Sequence, residues 1–297
     1  MTPDPQPPAG PQAEVVERLL ASTPYAVVRY VGRGGMGAVF EVEHRFLGRR
    51  FVVKVLHARL ADQPQFVDRM RVEAQAMAQL RHPNVVEVVD FWTADDGRPC
   101  VVMELLRGRT LAQALLARRK LPWAEAIDLT RQVLSALSAA HALGIIHRDI
   151  KPENLFLHDA NGAVPVVKVL DFGVARVLSE ASVAPLAIPT DTGAIVGSPR
   201  FVSPEGAAGK RVDQRADIYS TGVVAYAMLA GRGPFDGFNH ACAEPPSKFA
   251  DPGVPSGLDA AILRAIEHDA DARYQSARDF SEVLGSLAPR TPSTWPR

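Results

Sequence analysis

The apolar positions of this chain alternate at first and then change period. Residues 27–31 are β-like, 38–42 alternate like a strand, and 51–56 is a further strand-like run with Lys54 in its middle. Beyond it, Phe66, Met70, Glu73, Met77 and Leu80 are spaced by four, three, four and three residues, which is one face of a helix. Arg81-His82-Pro83-Asn84 ends that helix, His82 reading as a turn residue, and two strands follow at 85–92 and 100–104 around an Asp-Asp-Gly turn. Thr110 with Gln113 has the form of a capping box, opening a helix to about 118–120. Pro122 opens the next, where Ile127, Leu134, Leu137 and His141 keep the stripe and His141 reads as a helix-end residue. Two apolar runs, 155–157 and 166–170, flank the turn-forming His-Asp-Ala-Asn-Gly-Ala-Val-Pro and predict a hairpin. Asp213 caps a helix whose 223–230 stretch is apolar on nearly every side and so belongs at the centre of a lobe, with Gly231 as its stop. Residues 258–268 and 276–287 are two further amphipathic helices.

A chain of 297 residues fits two domains or lobes of about 100–200 residues each, and its 47% hydrophobic content is ample for a core. The formal net charge is zero, so neither a nucleic-acid footprint nor a basic membrane patch is implied. Cys100 and Cys242 have no metal-ligand spacing and no disulfide framework, which fits a reduced, cytoplasmic protein. No apolar run approaches the roughly 18 residues of a membrane span, and 1–12 lack the apolar core of a signal peptide. Those first twelve residues carry five prolines and no periodicity, so a disordered tail is expected over 1–22, with a short helical segment at 13–20 and the folded domain starting near Tyr25.

Chemistry concentrates in the predicted hairpin. Its geometry sets Asn154, entering the first strand, beside Asp171, leaving the second; an amide oxygen next to a carboxylate suits a hard cation such as Mg²⁺. Asp149 and Lys151 lie in the loop just upstream, completing a phosphoryl-transfer constellation. A second pair of charges lies earlier in the chain. Lys54 inside an apolar strand and Glu73 inside a core-facing stripe each need a partner, and pairing with one another is the economical solution. Between the first two strands, Gly32-Arg33-Gly34-Gly35-Met36-Gly37 forms a hairpin tip with so little side chain that backbone N–H groups can approach phosphates; a helix after the last glycine, as a dinucleotide fold requires, is not predicted. From Asp171 to Glu205 the chain is rich in Ser, Thr, Pro and Gly without a sustained period, and a connection of that length implies a function.

His147-Arg148-Asp149 with Asn154, then Asp171-Phe172-Gly173, resembles the catalytic and metal-binding loops of eukaryotic-like protein kinases, and Lys151 resembles their serine/threonine branch. With the glycine turn, Lys54, Glu73, Ser203-Pro204-Glu205, Asp217 and Arg273 in order over about 25–287, the chain resembles a bacterial Hanks-type serine/threonine protein kinase. That resemblance implies an α+β, two-lobed fold: a tail over 1–22, an ATP-binding lobe of antiparallel sheet with one helix over 23–104, a mainly helical catalytic and substrate lobe over 105–288, and a tail over 289–297. It implies ATP with Mg²⁺, or Mn²⁺ in its place, and transfer to Ser/Thr hydroxyls of protein substrates, with a transient homodimer for trans-autophosphorylation and neither nucleic acid nor membrane as partner. Asp149 would orient the hydroxyl and accept its proton, Lys151 would neutralise the transferring group, and Lys54, held by Glu73, would anchor the α- and β-phosphates. Val31, the glycine turn 32–37, Val39, Val52, Met103, Glu104, Leu106 and Phe156 would line the nucleotide. His147, Arg148, Phe172, Glu205, Asp217 and Arg273 would be structural, and Thr190, Thr192 and Ser198 are phosphosite candidates, with Arg148 as a cation for the phosphate. Three departures stand out: Val52 in place of the usual alanine over the adenine, Ser198 in place of threonine, and a shortened 235–249. A nucleotide-binding pseudokinase and a small-molecule kinase are the rival readings; the first is opposed by the intact charged set, the second by Lys151, the long segment and the Ser-Pro-Glu with Arg273.

Overall fold

Alternation in the first hundred residues builds one antiparallel sheet. In the computed structural model, which describes residues 16–34, 37–58, 64–159, 165–172, 199–235 and 254–289, the strands β1 (Tyr25–Gly34), β2 (Gly37–His44), β3 (Arg50–Leu56), β4 (Val88–Thr93) and β5 (Pro99–Glu104) are ordered β1-β2-β3-β5-β4. Helix α1 (Pro64–Gln79) packs on β4 and β5. Phe40, Val42, Phe51, Val53, Val55 and Val102 form one apolar face, which closes over Val16, Leu19, Leu20 and Tyr25. The tail expected over 1–22 therefore gives way to core from Val16 onward. Val16, Leu19 and Leu20 are a helical i, i+3, i+4 face, and burying side chains of that size contributes about 1.5–3 kcal/mol each. They belong to the short helical segment expected at 13–20, which is described from Val16 onward. Cys100 is buried in the same core, and burial pushes its thiol pKa up to about 12, the opposite of a reactive thiolate.

Contact clustering gives two compact units, one holding residues through Arg81 with Val86–Leu105, the other holding His82–Val85 and all described residues from Leu106 onward. The second unit is built on α5 (Gln214–Ala230), which follows the short α4 (Pro204–Ala207) and packs against α3 (Trp123–Ala142), α6 (Leu258–Ala265) and α7 (Ala277–Leu287). Asp213 caps α5 through its carboxylate and Gly231 ends it in the left-handed region. Thr110 and Gln113 make both bonds of the capping box that opens α2 (Leu111–Arg118). A small antiparallel sheet, β6 (Gly108–Thr110), β7 (Leu155–His158) and β8 (Val166–Val169), lies on α3. Val85, expected to start a strand, instead makes an isolated parallel bridge to Val169, so β4 begins at Val88. Asn84 holds this segment in place: its amide donates to Gln132 and to the Val167 carbonyl, both at 3.0 Å. The segment 173–198, the shortened 236–249 and both chain ends lie outside the described residues.

Candidate active site

In the first unit, one sheet face is core and the other presents the residues that the resemblance assigns to a nucleotide. Phe40, Val53 and Val102 lie across from one another and point into the core. Strand alternation therefore turns Val39, Lys54 and Val101 to the opposite face, along with Glu41, Val52 and Met103. Lys54 is 8% exposed there. Glu73 lies on α1, but its side chain falls outside the described residues, and with it the predicted Lys54–Glu73 pair. Val31 and Arg33 are exposed on β1, and Gly32, Arg33 and Gly34 pair with Val39, Ala38 and Gly37. Gly35 and Met36 are outside the described residues. The pairing shows a hairpin at the glycines, as the strand-like alternation after them predicts. Glu104 bonds Glu87 twice, through its N–H at 3.0 Å and its carboxylate at 2.9 Å.

In the second unit, Leu106 follows the end of β5, and β7 pairs with β8 in the register Leu155↔Val169, with half-buried Phe156 opposite Lys168. The Leu170 N–H donates to the Asn154 carbonyl at 2.9 Å, so Asn154 and Asp171 stand at the same end, as the two apolar runs require. Lys151 Nζ lies 2.6 Å from Asp149 Oδ2, and Asn154 Nδ2 donates to the same oxygen at 2.9 Å and to the Asp149 carbonyl at 2.8 Å. One carboxylate oxygen is thus fixed, and no described residue bonds the other. Because Asn154 commits its NH₂ to Asp149, its Oδ1 is left for a cation. No group of three or more His, Cys, Asp or Glu among the described residues could hold a metal. A site of one amide oxygen and one carboxylate is what a magnesium-type ion needs when phosphates supply further oxygens.

The loop is held from beneath. Buried Asp217 accepts from the backbone N–H of His147 at 2.9 Å and of Arg148 at 2.7 Å. Arg148 and Asp171 both adopt positive φ, 67° and 54°, conformations that bulky residues keep only where surroundings hold them. His147 Nδ1 accepts from the Asp149 N–H, so Nε2 carries the proton toward the Leu170 carbonyl at 2.8 Å, and the ring lies 4.6 Å from Phe172. With both nitrogens engaged inside the fold, His147 is no general base. Farther along, Arg273 is fully buried and all its donors are used: two to the Glu205 carboxylate at 2.8 Å each, the others to the carbonyls of Glu267, Arg215 and His268. Burial works to raise the Glu205 pKa, but the Arg273 guanidinium and the local N–H groups outweigh it and hold the carboxyl below its usual range. Thr190, Thr192, Ser198 and Gly173 lie outside the described residues. Sequence reasoning missed His141, whose ring meets Asp217; the usable signal was a polar residue on a buried helical stripe, the same signal that singled out Glu73.

A family model described as "Protein kinase domain" matches residues 25–249. The chain belongs to the protein kinase domain family. The kinase domain is 41% identical over 268 residues to the serine/threonine-protein kinase Pkn1 of Myxococcus xanthus, covering 88% of this chain and 38% of Pkn1. It is 37% identical over 265 residues to the serine/threonine-protein kinase PrkC of Bacillus subtilis, covering 86% and 39%. Among solved structures, the PknI kinase domain of Mycobacterium tuberculosis superposes with a TM-score of 0.70 at 29% identity, covering 90% of this chain and 97% of that one. The chain thus spans about two fifths of the length of these curated relatives. The resemblance to bacterial serine/threonine kinases and the two-lobed α+β fold read from the sequence are what the comparisons show. Membership in this family implies use of ATP and a divalent metal. Among the described residues, no helix is long and apolar enough to cross a membrane.

Proposed function

We propose that the chain transfers the γ-phosphoryl group of ATP to serine and threonine hydroxyls of proteins, with Mg²⁺ as the metal. The observation that carries this reading is the Asp149 carboxylate, one oxygen clamped by Lys151 and Asn154 and the other left for an incoming hydroxyl. Asp149 orients that hydroxyl and takes up its proton as the phosphoryl group is transferred. Lys151 offsets charge on the transferring group, and Lys54 anchors the α- and β-phosphates. Asn154 and Asp171 would hold the metal, which when bound would neutralise phosphate charge. The transition state of such reactions is loose, so most of the catalysis is positioning and charge stabilisation. The same reading places the protein in the cytoplasm, where ATP is, and includes autophosphorylation at Thr190 or Thr192 by a transient second copy.

Incubating the full chain with Mg-ATP and a generic acceptor such as myelin basic protein, beside Asp149→Ala, tests the transfer. Incorporation by the parent and not by the variant is expected; transfer to a sugar or antibiotic but never to protein would overturn it. Phosphopeptide mapping of the same sample should find phosphate at Thr190 or Thr192, and phosphate confined to positions outside 171–205 would remove the autophosphorylation proposal.

A further inference from the structure

We infer that Arg200, with Lys210 and Arg211, makes a cationic surface beside Asp149 that selects acidic segments of protein substrates. The inference rests on the phosphotransfer reading and adds the chemistry of the acceptor. The single helical turn Pro199–Phe201 packs on α5. Phe201 lies against Tyr219, Val223 and Ile266, and its carbonyl accepts from Ser220 Oγ at 2.7 Å. Ser220 stands three residues beyond Asp217, which holds the amides of His147 and Arg148, and residues three apart on a helix are about 5–6 Å from one another. Downstream, Glu205 is locked to Arg273. Arg200 is therefore fixed in its backbone from both sides, next to the loop that carries Asp149, with its side chain exposed.

The charge there is one-sided. Lys210 and Arg211 are exposed just past α4, where the Lys210 N–H bonds the Glu205 carbonyl at 2.9 Å. A Cβ at Gly206 would meet the side chains of Val202 at 3.2 Å and Val212 at 3.7 Å, so the chain at Arg211 runs alongside the chain that follows Arg200. None of these three cations forms an ion pair among the described residues. The carboxylates of the same elements are all engaged within the fold: Glu205 by Arg273, Asp213 by Arg215, and Asp217 by the loop amides. Glu153 is exposed where the loop meets β6 and α2, but Arg107 and Arg109, also exposed and without ion pairs, flank Gly108 beside it. An arginine fork takes a carboxylate through two parallel bonds. An extended acceptor chain advances about 3.3 Å per residue, so side chains within roughly four positions of its hydroxyl pass over this surface. Acidic ones find counter-charge there, and basic ones meet like charge.

The test uses the full chain and a set of peptides that share one Ser/Thr acceptor, with glutamate, glutamine or lysine at the flanking positions. The parent's kcat/KM should be highest for the glutamate peptide and lowest for the lysine peptide, and added salt should narrow the gap. In Arg200→Glu the ratio of the glutamate to the lysine peptide should fall by about fivefold or more, since an exposed pair contributes up to about fivefold and the new like charge adds to it. The double variant Lys210→Glu with Arg211→Glu should lower the same ratio. Because the ratio is taken within each variant, a general loss of activity cancels. A parent that does not prefer the glutamate peptide overturns the inference, as does a ratio unchanged in Arg200→Glu. Fluorescence anisotropy with the same peptides and no ATP reads the selection apart from turnover, and the glutamate peptide should bind the parent more tightly than it binds Arg200→Glu. A parent that binds that peptide selectively yet phosphorylates none of the set would sink the phosphotransfer reading and leave this inference standing. One that phosphorylates all of them alike would sink this inference alone.

Discussion

The two hairpins to which the proposed function assigns chemistry are held in opposite ways. The β1–β2 hairpin has glycine where its strands meet, Gly34 opposite Gly37, and its alignment comes from backbone pairing. The loop leading into the β7–β8 hairpin is fixed by buried side chains: Asp217 under two of its amides, His147 bonded at both ring nitrogens, and Asn154 clamping Asp149. The difference follows from the tasks proposed for them. A turn that offers N–H groups to phosphates must be bare, because side chains would occupy the space. A carboxylate that meets a hydroxyl must be placed to a fraction of an ångström, and buried polar groups provide that because leaving any one of them unpaired is costly.

The largest effect expected is on chemistry alone. Asp149→Ala should lower turnover by roughly 10²–10⁴ with the melting temperature nearly unchanged, since the side chain is only partly buried, Lys151 can turn to solvent and Asn154 keeps its bond to the Asp149 carbonyl. Phosphorylation at the parent rate would remove Asp149 from its role, and a large fall in melting temperature would show the carboxylate to be structural as well.

Next comes Arg273, where the rule of buried polar support extends to the 203–205 segment. Arg273→Leu removes a buried guanidinium from a bidentate pair, and breaking such a pair from one side costs about 3–5 kcal/mol, measurable by urea unfolding. The pH dependence has a definite sign. The Glu205 pKa is depressed on folding, so the pair's contribution is complete above the carboxylate's ordinary value of 4.5 and is lost as pH falls through the lower folded value. Below pH 4.5 the stability of the parent should therefore fall more steeply than that of Glu205→Gln. Parallel curves would show that the pair is not the acid-sensitive element.

On the other hairpin, Gly37 carries the packing. A Cβ there would lie 2.2 Å from the Val55 carbonyl oxygen and 2.9 Å from the Leu56 Cα, backbone atoms that cannot swing aside. Gly37→Ala should cost about 1–3 kcal/mol, the usual range for overpacking. An unchanged unfolding midpoint would mean that β2 and β3 separate there at little cost.

The β7–β8 hairpin was legible because two apolar runs flank unmistakable turn chemistry, and α5 because a stretch apolar on nearly every side has only the middle of a lobe to go to. The glycine turn was legible from the strand alternation after it. What escaped depended on partners distant in sequence. Val16, Leu19 and Leu20 lie in the short helical segment expected at 13–20, but nothing in that segment says that the sheet closes on them. Glu41, in an alternating strand, gives no sign that Arg29 and Arg50 will bond it from neighbouring strands. Asn84 beside a proline reads as a turn, although its amide joins Gln132 to β8. Local pattern fixes period and face, but it does not say which polar side chain on a buried face finds which partner.

The smallest effect on stability, and the sharpest test of the comparison, is expected at Gly32. A Cβ there meets nothing within 4 Å and φ is not positive, so Gly32→Ala should shift unfolding by less than about 0.5 kcal/mol, as for surface substitutions away from special features. If the bare turn receives phosphates, the added methyl group should nevertheless raise KM for ATP severalfold at unchanged stability. The opposite split from Gly37→Ala would then separate space kept for a ligand from space taken by a neighbouring strand. An ATP affinity equal to that of the parent would reduce the glycine at 32 to a turn residue, and the contrast between the hairpins would rest on the second one alone.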